Sequence, residues 1–102
     1  MKQLIKHRGY YGEVYYSEED ECYVGMVLGI RGFIGVHEDS ASETIKELIE
    51  AIDEYLLDCA EEGWAPNTTD PVVVREMEPY FENGTKDDLH VMPVHKEFAF
   101  VN

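Results

Sequence analysis

Carboxylates dominate the chemistry open to this chain. It carries 22 Asp plus Glu against 8 Lys plus Arg, and Glu43, Glu47, Glu50, Glu54, Asp58 and Glu61 recur at helical intervals. Metal-dependent cleavage of a phosphodiester needs several such groups to converge on Mg²⁺ ions about 4 Å apart. Residues repeated at helical spacing line one side of a rod and do not converge. Asp53 and Glu13 are the one pair that a helix lying on a sheet could bring together, and one pair does not make a site. His7, His37, His90 and His95 are scattered; His90 and His95, five apart in a strand-like stretch, point to opposite faces rather than to one metal. Ser17, Ser40 and Ser42 have no nucleophile-elbow setting, and the glycines form neither a P-loop nor a dinucleotide fingerprint. Cys22 and Cys59 read as two small buried hydrophobes in a reducing compartment; a disulfide is the less favoured alternative. The residues therefore point to binding rather than catalysis, with no cofactor and no metal.

The same carboxylates suit another task. Repeated along one helix face they steer and dock a cationic protein, or they are simply a solvated surface. Tyr10, Tyr11, Tyr15, Tyr16 and Tyr23 crowd the first strands. Tyrosines there either mark a contact with a partner or stabilise the sheet by cross-strand pairing. The partner-contact candidates are Tyr11, Tyr15, Tyr23, Glu18, Glu19, Asp20, Glu47, Glu50, Glu54 and Asp58. A net charge of −14 repels phosphates and anionic membranes and favours a basic partner.

The elements that must position these groups are legible from period and punctuation. Tyr10 to Tyr16 alternates as a strand, with Tyr10, Gly12, Val14 and Tyr16 on one face and Tyr11, Glu13 and Tyr15 on the other. Ser17 to Glu21 is an acidic turn. Cys22 to Leu28 is the second strand, placing Cys22, Val24, Met26 and Leu28 together, and Phe33 to His37 is a shorter third. Ser40 then caps a helix, with Glu43 completing a possible capping box. Ile45, Leu48, Ile49, Ile52, Leu56 and Cys59 form its apolar side, and Gly63 and Pro66 close it. Beyond it, Pro71 to Met77, Leu89 to Val94 and Glu97 to Val101 read as strands, with Asn83-Gly84 as a turn. At 102 residues and 44% hydrophobic content the chain suits one core. No apolar run approaches the ~20 residues needed to span a bilayer. The N-terminus, Met1 to Arg8, is too short and polar for a signal peptide, so a cytoplasmic protein is expected.

In their order, these residues resemble the N-terminal domain of the HicB-like family, antitoxin partners of HicA toxins. The resemblance runs through Tyr11-Gly12, Val14, Tyr16, the acidic Glu18 to Asp20, Tyr23, Gly25, Gly29-Ile30-Arg31 and Asp39-Ser40. It continues through Glu50-Ala51-Ile52-Asp53-Glu54-Tyr55-Leu56, Cys59, Gly63 and Pro66. It implies an α+β fold, partial RNase H-like: an antiparallel three- to four-stranded sheet with one long amphipathic helix packed on it. It also implies a non-enzymatic protein that captures and neutralises a small basic HicA-type mRNA-cleaving toxin, as a homo-oligomer (dimer or tetramer).

Two departures bear on this. Glu38 stands where the family tends to have Gly. Residues 67–102 show no ribbon-helix-helix or helix-turn-helix pattern and are acidic, so direct nucleic-acid binding is not carried over. Residues 1–66 are thus expected to form the HicB-like core, and residues 67–102 a strand-rich extension packed on it or on a second subunit. The alternative reading is a stand-alone oligomeric αβ domain for self-assembly or small-ligand sensing, with no toxin partner.

Overall fold

The computed structural model describes residues 2–81 and, for the backbone, the strand at residues 90–94. Its first element went unread in the sequence: Lys2–His7 is a strand, β1, paired antiparallel with β2 (Tyr10–Ser17). Arg8 and Gly9, at φ 51° and 84°, form the connection between them. Positive φ at both central residues is the geometry that a two-residue hairpin turn of type I′ requires. Four turn residues lead to β3 (Cys22–Leu28), which pairs with β2, and β4 (Gly35–Glu38) pairs with β3. β5 (His90–Val94) joins the free side of β1, so the antiparallel sheet runs β4-β3-β2-β1-β5. The strand expected within Leu89 to Val94 is therefore present. Asn83-Gly84 and Glu97 to Val101 lie outside the described residues.

The long helix α1 (Ala41–Glu62) starts and stops where expected. The Ser40 side chain accepts the Glu43 N–H, and Gly63 closes the helix at φ 74°. Leu48 and Ile52 are fully buried on Ile5, Tyr10, Val14, Val27 and Ile30, with Ile45, Ile49 and Leu56 packed around them. Close approach depends on two glycines in the sheet. A Cβ at Gly12 would meet the Leu48 side chain at 2.9 Å and the Met26 carbonyl at 3.0 Å; one at Gly25 would meet Thr44 at 3.0 Å.

The strand expected over Pro71 to Met77 is instead a second helix, α2 (Pro71–Met77), followed by a 3-10 turn at Glu78–Tyr80. Three consecutive valines favour a strand by local preference, but Asp70 and Pro71 outweigh them as N-cap and first helical residue. The Asp70 carboxylate accepts the Val72 N–H at 2.8 Å. Val73, Met77 and Phe81, at helical spacing, then bury themselves on Leu4, Tyr11 and Leu28, the sheet face opposite α1. The sheet is thus covered on both sides, by α1 on one and by α2 with its 3-10 turn on part of the other.

The chain between the helices is laced to the sheet rather than hanging free. The Asn67 N–H donates to the Tyr55 hydroxyl oxygen (2.7 Å), and the Tyr10 hydroxyl donates to the Asn67 carbonyl. Thr69 Oγ1 donates to the Gly9 carbonyl (3.0 Å), and the Asp70 N–H to the Gly29 carbonyl (2.7 Å). Residues 67–81 therefore share the core of residues 2–63.

Candidate functional site

The ten residues singled out in the sequence occupy three separate places. Tyr11 and Tyr15 lie on the α2 side of the sheet. Tyr11 is only 3% exposed. Its ring packs 5.9 Å from that of Phe81, with the Lys6 ammonium 5.6 Å from its centre. It is a core residue, out of reach of a partner in this state. Tyr15 is half-buried, with the Lys2 ammonium 5.3 Å from its ring centre. Tyr23 lies on the opposite face, half-buried, edge-on to Tyr16 at 5.1 Å.

Glu18, Glu19 and Asp20 are exposed in the β2–β3 turn, where the Asp20 carboxylate accepts the Ser17 hydroxyl at 3.2 Å. Glu47, half-buried, and Glu50, Glu54 and Asp58, exposed, line the outer side of α1. None of these seven carboxylates forms an ion pair among the described residues. The last turn of α1 holds no basic residue, while Glu61 and Glu62 sit there exposed. Carboxylates at a helix C-terminus add to the negative end of its dipole, so the potential there is the least favourable for anions.

Helical spacing also places Leu57 within this acidic side, between Glu50, Glu54 and Glu61. It is 58% exposed, and Trp64, just past the helix end, is 63% exposed. Sequence reading missed both. A leucine falling on the polar side of an otherwise regular period was the available signal.

Asp53 and Glu13 do not meet. Glu13 faces the α2 side, where Lys2 Nζ pairs with it at 3.2 Å. Asp53 faces the end of β1, with His7 Nε2 at 2.7 Å and Arg8 Nη1 at 3.1 Å. The hydrogen bond from the His7 ring is the main reason its carboxyl is held below the usual range; partial burial opposes this, and Arg8 adds to it. Among the described residues no grouping of three or more His, Cys, Asp or Glu could hold a metal ion. Cys22 and Cys59 are both free thiols, half-buried and buried.

A groove of about 480 Å³ opens on the α2 side, beyond the reach of α2. Cys22, Val24, Gly35 and His37 line it, Asp20 stands at its rim, and Phe33 walls it. The Phe33 ring lies so close over Gly35 that a side chain there would clash with it. Phe33 is 75% exposed, the most exposed large hydrophobic side chain among the described residues.

The arrangement offers surfaces of defined charge and shape. No helix of the structure's described residues is long and apolar enough to cross a membrane. Comparison with protein-family models, with curated proteins and with solved structures finds no match to this chain.

Proposed function

We propose that this chain is a non-catalytic binding protein that captures a small basic protein, by resemblance a HicA-type mRNA-cleaving toxin, and neutralises it. The observation that carries the reading is the set of carboxylates on the outer side of α1 and in the β2–β3 turn that form no ion pair among the described residues, within a chain of net charge −14. Unneutralised charge of one sign raises the encounter rate with a partner of opposite sign, and does so more strongly at low salt. Leu57 and Trp64, exposed beside the stripe, supply apolar contact of the kind that charge alone does not give.

Co-expression with the flanking genes, followed by affinity capture at low and high salt, tests this. The expected result is a small basic protein retained at low salt and released as salt rises. Retention should weaken when Glu50, Glu54 and Asp58 become Gln, Gln and Asn. If the purified chain neither binds nor inhibits a HicA-like protein encoded beside it at low salt, the reading fails.

A further inference from the structure

The edge strand β4 has hydrogen-bonding groups to spare. The Val27 N–H donates to the Ile34 carbonyl at 2.9 Å, which marks those two residues as a hydrogen-bonded pair. The register continues with Gly25 opposite Val36 and Tyr23 opposite Glu38. In an antiparallel ladder alternate residues direct both N–H and C=O to the same neighbour. Ile34, Val36 and Glu38 therefore face β3, and Gly35 and His37 present their N–H and C=O groups outward. Among the described residues β4 ends the sheet on that side, and no other described group hydrogen-bonds to Gly35 or His37. An unpaired edge of this kind is a template for another strand.

Two further features choose the occupant. The groove walled by Phe33 and lined by Val24 and Cys22 runs beside the edge and takes the alternate apolar side chains of an arriving strand. The topology also gathers carboxylates at one end of the sheet. The β2–β3 turn carries Glu18, Glu19, Asp20 and Glu21, and Glu38 lies opposite Tyr23, with Asp39 following. None of these six forms an ion pair among the described residues. That charge rejects a second copy of this acidic chain and attracts a cationic one.

We infer that the outer edge of β4 is the docking site of the basic partner, which adds an extended Lys/Arg-bearing segment to the sheet as a further strand. This rests on the reading of the chain as a basic-protein binder and adds to it a main-chain contact at the sheet edge, in addition to the charged outer side of α1.

The test uses the full chain, isotopically labelled, titrated at low salt with a synthetic peptide of about seven residues alternating lysine and valine. The expected result is perturbation and exchange protection of the Gly35 and His37 amides. The same peptide N-methylated at alternate amides should bind about tenfold more weakly, because methylation removes the ladder hydrogen bonds and leaves the charge. A glutamate–valine peptide should not bind. His37→Pro removes an outward N–H at a position where an edge strand tolerates proline, so it should weaken binding about tenfold with the melting temperature kept. The peptide experiment on the unmutated chain does not depend on that variant folding.

Perturbation confined to Glu47, Glu50, Glu54 and Asp58 overturns the edge assignment and leaves the basic-partner reading standing. Equal affinity for the N-methylated peptide overturns the assignment too. So does concentration-dependent perturbation of Gly35 and His37 without peptide, which would put a second copy on the edge. Absence of any binding also overturns it, and the capture experiment above then decides the broader reading separately.

Discussion

His7 Nε2 lies 2.7 Å from Asp53 Oδ1, joining the last residue of β1 to the middle of α1 across 46 positions of sequence. Arg8 Nη1 reaches the same oxygen at 3.1 Å, so one carboxylate holds the β1–β2 hairpin end against the helix. The Asp53 side chain is 46% exposed, and solvent screening keeps the contribution small. Asp53→Asn is expected to destabilise the fold by about 1 kcal/mol or less, read as a lowered urea midpoint with unchanged slope.

Acid should reveal the same contact. The Asp53 carboxyl is depressed chiefly by the His7 hydrogen bond. At Glu78, burial pushes the carboxyl up, but hydrogen bonds from Tyr11 and Lys6 with the Lys6 charge bring it below its ordinary value. A carboxylate whose pKa is lower folded than unfolded contributes stability that is present above its unfolded pKa and lost as pH falls through the folded one. Stability is expected to fall from about pH 4 downward. Asp53→Asn and Glu78→Gln should each flatten that fall in a urea titration repeated across pH.

Gly12 sets how near α1 can approach. A Cβ at this position meets the flexible Leu48 side chain at 2.9 Å but also the Met26 backbone carbonyl at 3.0 Å, and a backbone oxygen in a paired strand has little room to give. Gly12→Ala is expected to destabilise the fold by about 2 kcal/mol. Thermal melts should show only partial recovery when Leu48→Val is added, because the carbonyl contact remains.

Phe81 closes the second core. It is 3% exposed and packs with Met77 and Val73 on Leu4, Tyr11 and Leu28. Phe81→Ala is expected to remove about 3 kcal/mol, while Val72→Ala, at a residue 50% exposed on α2, should change stability by less than about 0.5 kcal/mol. Comparable small effects at both positions would show that α2 does not share the core.

The C-terminal turn of α1 is charged against its own dipole, with Glu61 and Glu62 exposed and no basic residue nearby on the helix. Glu61→Lys and Glu62→Lys are each expected to stabilise the chain by about 0.5 kcal/mol at low salt, an effect that should shrink in a melt at high salt. If these residues serve the capture of a basic protein, the same substitutions weaken that capture.

Where local chemistry and tertiary packing agree, the sequence was enough. The alternation of Tyr10 to Tyr16 and of Cys22 to Leu28, the Ser40 and Gly63 caps, and the Ile45-to-Cys59 apolar side all appear as read. So does the α+β class with its antiparallel sheet under one long helix. Period and capping are set within a few residues, and burial of one face reinforces them.

Elsewhere the deciding contacts are distant in sequence. Lys2 to His7 lacks a clean alternation and becomes a strand because β2 and β5 pair with it on either side. The valines of α2 are helical because Asp70 caps them and because Val73, Met77 and Phe81 find Leu4, Tyr11 and Leu28 across the sheet. Tyr11 looked like a surface aromatic until that second layer covered it.

Composition alone determined that the chain is strongly acidic. Only the tertiary structure decided which carboxylates share a surface, that Leu57 stands among them, and that Gly35 and His37 face outward at the end of a sheet. The physical reason is that charge and local period belong to the chain itself. An open edge or a covered face exists only once strands and helices have chosen their neighbours.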